Sequence, residues 1–191
     1  IFLLALPIIN EIFNSNLLNL ANSFFRVGSM VFGGGHVVLP LLKEEFVTSG
    51  LIENDLFLAG YGASQAIPGP LFTFSSYLGI FFNSEINTLL TSMFCLFFIF
   101  LPSFLLLLGT LSMWNELREI DFFVSAFKGV NASVVGLLIA ALYDPIIISS
   151  LKNYYDFILI LISFLILFFT KIPQWAAVFL ISFCGWMLTS I

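Results

Sequence analysis

Charge is what this sequence has least of. Only 9% of its 191 residues are Asp, Glu, Lys or Arg, against about 25% in a soluble globular domain. No charged residue or His lies between Leu56 and Ser84, between Ile86 and Asn115, or between Ile172 and Ile191. The six basic residues form no patch, and with a formal net charge of −5 a nucleic-acid partner is excluded. One His, no Cys-x-x-Cys pair and no nucleophile elbow argue against a structural zinc site or an enzyme, and no metal or other cofactor is expected. The two cysteines, Cys95 and Cys184, sit inside apolar runs, where they are expected to pack as small hydrophobic groups. The chain does not begin with Met and shows no basic segment ahead of an apolar core, which reads as a piece of something longer without a signal peptide.

What is present is apolar: 60% of the residues are hydrophobic and 25 are Phe. A helix needs about 20 apolar residues to cross a bilayer, so the long uncharged runs predict an all-α polytopic membrane protein surrounded by lipid. Residues 1–14 read as a linker or the end of a preceding helix because Pro7 and nearby Asn residues interrupt them. From Asn16 to Phe32, Leu17, Leu20, Phe24, Val27 and Val31 form an apolar stripe. Asn19, Asn22, Arg26, Ser29 and Gly33 form a polar or small one. Arg26 within a spanning helix is expected to face protein or a water-filled cavity, since a charge at mid-bilayer costs about 2.5–3.5 kcal/mol on insertion scales.

Two breaks then interrupt the apolar pattern. Gly33-Gly34-Gly35 is followed by His36 and by Val37 to Leu42, too short to span, which predicts the return limb of a re-entrant hairpin or a short second helix. Pro68-Gly69-Pro70 splits the next run into Glu53 to Ile67 and Leu71 to Phe82. In the first of these, Gly60, Gly62, Ala63, Ser64 and Ala66 suit close helix contact. Ile86 to Trp114 reads as a full span that Pro102 bends, and Glu116 to Lys128 as an amphipathic interfacial helix. Val130 to Tyr143 reads as a short segment ended by Asp144-Pro145. Tyr154 to Thr170 and Gln174 to Ile191 form a last hairpin.

The residues of these breaks carry a resemblance. The stretch Phe25 to His36, continuing to Leu39-Pro40-Leu41-Leu42, resembles the signature of the chromate ion transporter family, as does Gly62 to Pro70 followed by Tyr77-Leu78-Gly79. The resemblance covers residues 15–191 and is more like the second half of a two-domain member. It implies one half-domain of an inverted-repeat-type transporter with broken or re-entrant helices, needing a second homologous half, fused or separate. It further implies export of chromate, with sulfate as a close analogue, driven by a proton or anion gradient across a plasma membrane, the bacterial inner membrane. Leu51 stands where the family tends to have Trp, which leaves that segment's boundary open.

The residue chemistry suggests one permeation site lined by Arg26, Gly33, Gly34, Gly35, His36, Gln65, Pro68, Gly69 and Pro70. A guanidinium and bare backbone N–H groups are what an oxyanion losing its hydration requires. Each has a structural alternative: Arg26 paired with an acid, the glycines making a tight turn, His36 at an interface, Gln65 bonding a freed carbonyl. Glu44, Glu45 and Asp55 are candidates for coupling or gating. A solvated loop would explain the first two, and a helix cap the third. Other readings are a transporter of a different small anion, or a non-transporting membrane subunit that stabilises a partner.

Overall fold

A computed structural model describes residues 15–32, 34–67, 69–82, 86–170 and 172–189. Gly33, Pro68, Glu85 and the whole of 1–14 lie outside the described residues. Every element among those described is helical. The chain is an all-α membrane protein.

Helix α1, Asn16–Met30, buries Leu20, Phe24 and Val27 from the expected stripe, together with Ala21, Phe25 and Gly28. The chain leaves it in extended backbone at Val31 and turns through Gly34, whose φ of 120° is open to glycine and costly for other residues. A 3-10 turn, Gly35–Val37, begins a return limb that continues as α2, Val38–Leu42, and a π-helical turn, Lys43–Val47. This limb folds back along α1: the Phe24 and Phe46 rings lie 4.9 Å apart. The limb is thus a short second helix after the break that folds back on α1, and Lys43, Glu44 and Glu45 belong to it and not to a solvated loop.

Helix α3, Asn54–Gln65, ends just ahead of the Pro-Gly-Pro break. A 3-10 turn, Leu71–Thr73, then leads into α4, Phe74–Gly79. The first residue outside α3 at its start is Glu53, with no side-chain cap, so Asp55 is not the cap expected of it. Asp55 lies in the first turn, where the helix dipole favours a negative charge.

Helix α5, Thr88–Thr110, runs through Pro102 and is the element against which α1 and α4 pack. The closest approach is at Gly28, where a Cβ would lie 2.1 Å from the Ile99 carbonyl oxygen. With no driving force for helix association from water, contacts of this kind hold membrane helices together. The small-residue surface expected on α3 is real at Gly60, which faces the Tyr77 ring; Gly62 has open space beside it.

After α5 come α6, Trp114–Leu117, and α7, Asp121–Ala141. The amphipathic helix expected over Glu116 to Lys128 is not one element. Ile120 is extended, and Asp121 to Lys128 form the opening turns of the 21-residue α7. Its length, together with the helical residues that follow, makes Asp121–Ser150 long and apolar enough to cross a membrane, as is Thr88–Leu117. A π-helical turn, Leu142–Ile147, contains Asp144 in non-helical backbone and leads to α8, Ile148–Ser150. Helices α9, Tyr154–Phe169, and α10, Gln174–Thr189, complete the chain. The core is built by α1 to α5 and the return limb: Phe24, Leu42, Phe46, Phe57, Phe74 and Ile99 are all buried in it. The apolar side chains of α7, α9 and α10 mostly face outward, a surface that lipid tolerates and water does not. Cys95 is buried and Cys184 exposed, both as free thiols.

Candidate functional site

The two breaks meet. A Cβ on Gly35 would stand 2.7 Å from Leu71 Cβ and 3.3 Å from Leu71 N, so the return limb's first turn abuts the first turn after Pro70. Both turns are helix beginnings with no side-chain cap, at Gly34 and at Pro70. Helix beginnings leave backbone N–H groups without intrahelical partners and carry the positive end of the dipole. Gly34, His36, Gly69 and Pro70 are exposed here, and Gln65 is half-buried at the end of α3. Helix α7 is remote in sequence, yet it packs on the Gly35–Val37 turn and on α2. His36 Nδ1 lies 3.4 Å from the Tyr61 hydroxyl, which ties the limb's turn to α3. The hydroxyls of Ser64, Ser75 and Tyr77 bond backbone carbonyls, at 2.7, 2.7 and 3.1 Å.

Arg26 is elsewhere. Its Nη2 pairs with Glu45 Oε2, and the Ser23 hydroxyl donates to Glu45 Oε1 at 2.6 Å. Glu45 lies ten residues beyond Gly35 along the limb, about 15 Å at helical rise. The residues expected to line one site thus form two groups: the junction of the breaks, and a cluster of Ser23, Arg26 and Glu45 farther down the hairpin. Glu44 takes a bond from Thr48 Oγ1 at 3.3 Å, beside this cluster. Nothing in the polar stripe of α1 singles out Ser23, although it lies three residues before Arg26 on the same helical face.

A second ion pair joins Lys43 to Asp144. Lys43 and Glu45 project to different sides of the limb, so it is clamped between α1 and the break after α7. The four charges cancel pairwise. Asn54 Nδ2 donates to Ser149 Oγ at 3.3 Å and adds a polar tie at the same end. Because the Asp144 side chain is 53% exposed, Asp144→Asn is expected to cost only about 1 kcal/mol of stability. The charge-reversed pair, Lys43→Asp with Asp144→Lys, should recover part of it in thermal denaturation of the purified protein.

Two cavities accompany these features. One of ≈ 410 Å³ is lined by Asn16, Asn19 and Ser23 from one face of α1, with Phe46, Leu51 and Phe82 opposite. The other, of ≈ 280 Å³, lies between α9 and α10 and is almost wholly apolar. Among the described residues, no group of His, Cys, Asp or Glu is arranged to hold a metal ion.

Residues 18–186 match the family model described as Chromate transporter. The chain belongs to the chromate transporter family. It is 27% identical over 128 residues to an uncharacterized transporter of Methanocaldococcus jannaschii, a match covering 66% of this chain and 31% of that protein. It is 28% identical over 125 residues to a chromate transport protein of Pseudomonas aeruginosa, covering 64% of this chain and 28% of that protein. The chain thus spans under a third of the length of the curated relatives it matches. No solved structure matches it significantly. The family is one of membrane-embedded transporters.

Proposed function

We infer that this chain is one half-domain, residues 15–191, of a carrier that exports chromate, with sulfate as a competing cargo, across the inner membrane of a bacterium. The observation that carries the reading is the abutment of Gly35 on Leu71, which brings two uncapped helix beginnings together. Broken helices that direct their N-termini at a common point are a recurrent way to bind an anionic cargo at membrane depth. Gly34, Gly35 and Gly69 keep that point free of side chains, His36 and Gln65 stand at its edge, and residues Gly33 and Pro68 complete the two breaks in sequence.

The cargo's charge is held by dipoles and N–H groups in place of water, and released because no full positive charge is fixed on the junction. Arg26 lies farther down the hairpin, paired with Glu45. The outward apolar faces of α7, α9 and α10 suit both lipid and a second homologous half. Coupling to a proton or anion gradient would draw on Glu44 or Glu45 of the return limb or Asp55 in the first turn of α3.

The test is uptake of radiolabelled chromate into proteoliposomes containing the complete transporter, in competition with sulfate, molybdate and chloride. Saturable uptake inhibited by sulfate and little affected by chloride is expected. Uptake at the level of empty vesicles by correctly inserted protein would leave the subunit reading in its place.

A further inference from the structure

We propose that Ser23 and Arg26 form a second oxyanion seat, held by the Glu45 carboxylate until a divalent tetrahedral oxyanion displaces it. The inference rests on the reading that the cargo is such an anion.

Ser23 and Arg26 are three residues apart on α1 and share a face. Their donors reach different oxygens of the same carboxylate, Ser23 Oγ to Oε1 and Arg26 Nη2 to Oε2. Donor pairs that hold a carboxylate through both oxygens also recognise tetrahedral oxyanions, which present two oxygens in the same way. The seat has room beside it. Asn16 and Asn19 continue the Ser23 face along the ≈ 410 Å³ cavity, and their side-chain amides are donors as well as acceptors. Arg26 is half exposed, and its guanidinium carries five N–H donors.

Glu45 is suited to be an internal substitute. While it is in place, Arg26 is not left as a lone cation inside a membrane protein. The carboxylate brings one negative charge, whereas the cargo brings two. Glu45 also sits in the π-helical turn Lys43–Val47, and such turns are frequent at functional sites. The seat lies about 15 Å of helix from the junction of the breaks. Two stations in series let an ion be bound without being held permanently.

Equilibrium binding of labelled sulfate and chromate to the complete reconstituted transporter tests this. Glu45→Gln keeps the side chain's shape and removes the competing charge, so it should tighten binding about tenfold. Adding Ser23→Ala should remove most of that gain. Ser23→Ala alone, which deletes one oxygen and keeps the Arg26–Glu45 pair, should weaken binding several-fold and serves if Glu45→Gln fails to fold. If the wild type binds oxyanion while Glu45→Gln binds it equally or more weakly, or Ser23→Ala changes nothing, Glu45 is a brace and the seat is overturned alone. If the wild type neither binds nor transports any oxyanion, the seat and the proposed function fall together.

Discussion

Gly28→Ala is expected to yield little or no monodisperse protein after extraction into mild detergent, whereas Gly62→Ala behaves as wild type. The methyl group at Gly28 would be placed 2.1 Å from the Ile99 oxygen and 2.9 Å from its carbon. Those are backbone atoms of α5, so no rotamer change relieves the clash. The helices must separate, and α1 carries Phe24 and Val27 into the same core. Overpacking a core costs about 1–3 kcal/mol and at times more; a fixed backbone neighbour puts this case at the upper end. Gly62 lies on the same kind of small-residue surface but has nothing within 4 Å of its added carbon. The pair separates close helix packing from mere smallness. Size-exclusion profiles and thermal melts of the two variants check it.

The second large effect is expected at Gly35. Its added Cβ would meet Leu71 at the Cβ and the backbone nitrogen, the part of Leu71 that cannot swing aside. The two turns are therefore pushed apart, while the α1–α5 and α4–α5 contacts that hold the fold lie elsewhere. Gly35→Ala should thus leave an inserted, folded protein whose chromate flux falls by at least about tenfold, equivalent to about 1.4 kcal/mol in the barrier. Gly34→Ala meets no neighbour but strains a backbone at φ 120°, at a cost of about 1–3 kcal/mol. It should lower stability as well as flux. A flux loss with unchanged melting at Gly35, beside a combined loss at Gly34, distinguishes displacement of the junction from strain within one turn.

The breaks were legible in the sequence because glycine and proline act locally. Three glycines cannot easily continue a helix, and Pro68 and Pro70 remove backbone donors wherever the chain goes afterwards. The convergence of the breaks was suggested by their chemistry, and the contact between Gly35 and Leu71 supports it. Ion pairing was less legible. Arg26 and Glu45 are 19 residues apart, and their meeting depends on the register of a hairpin that no periodicity specifies. Lys43 and Asp144 are 101 residues apart, and their pairing depends on how α7 packs against the limb. The segment from Glu116 to Lys128 misled for a different reason. Its apolar positions keep a helical spacing across Ile120, although the backbone there is extended and a new helix starts at Asp121. Periodicity reports faces, and it does not report where one helix stops and the next resumes.

On the proposed function, an oxyanion passes through the junction of the two broken helices. Counterflow tests it most directly. Proteoliposomes bearing the complete transporter are loaded with unlabelled chromate and diluted into tracer chromate. A transient accumulation of tracer above equilibrium is expected, reduced by external sulfate and lost in Gly35→Ala. Correctly inserted wild-type protein that shows no accumulation above empty vesicles, or Gly35→Ala protein that accumulates tracer as the wild type does, would contradict it.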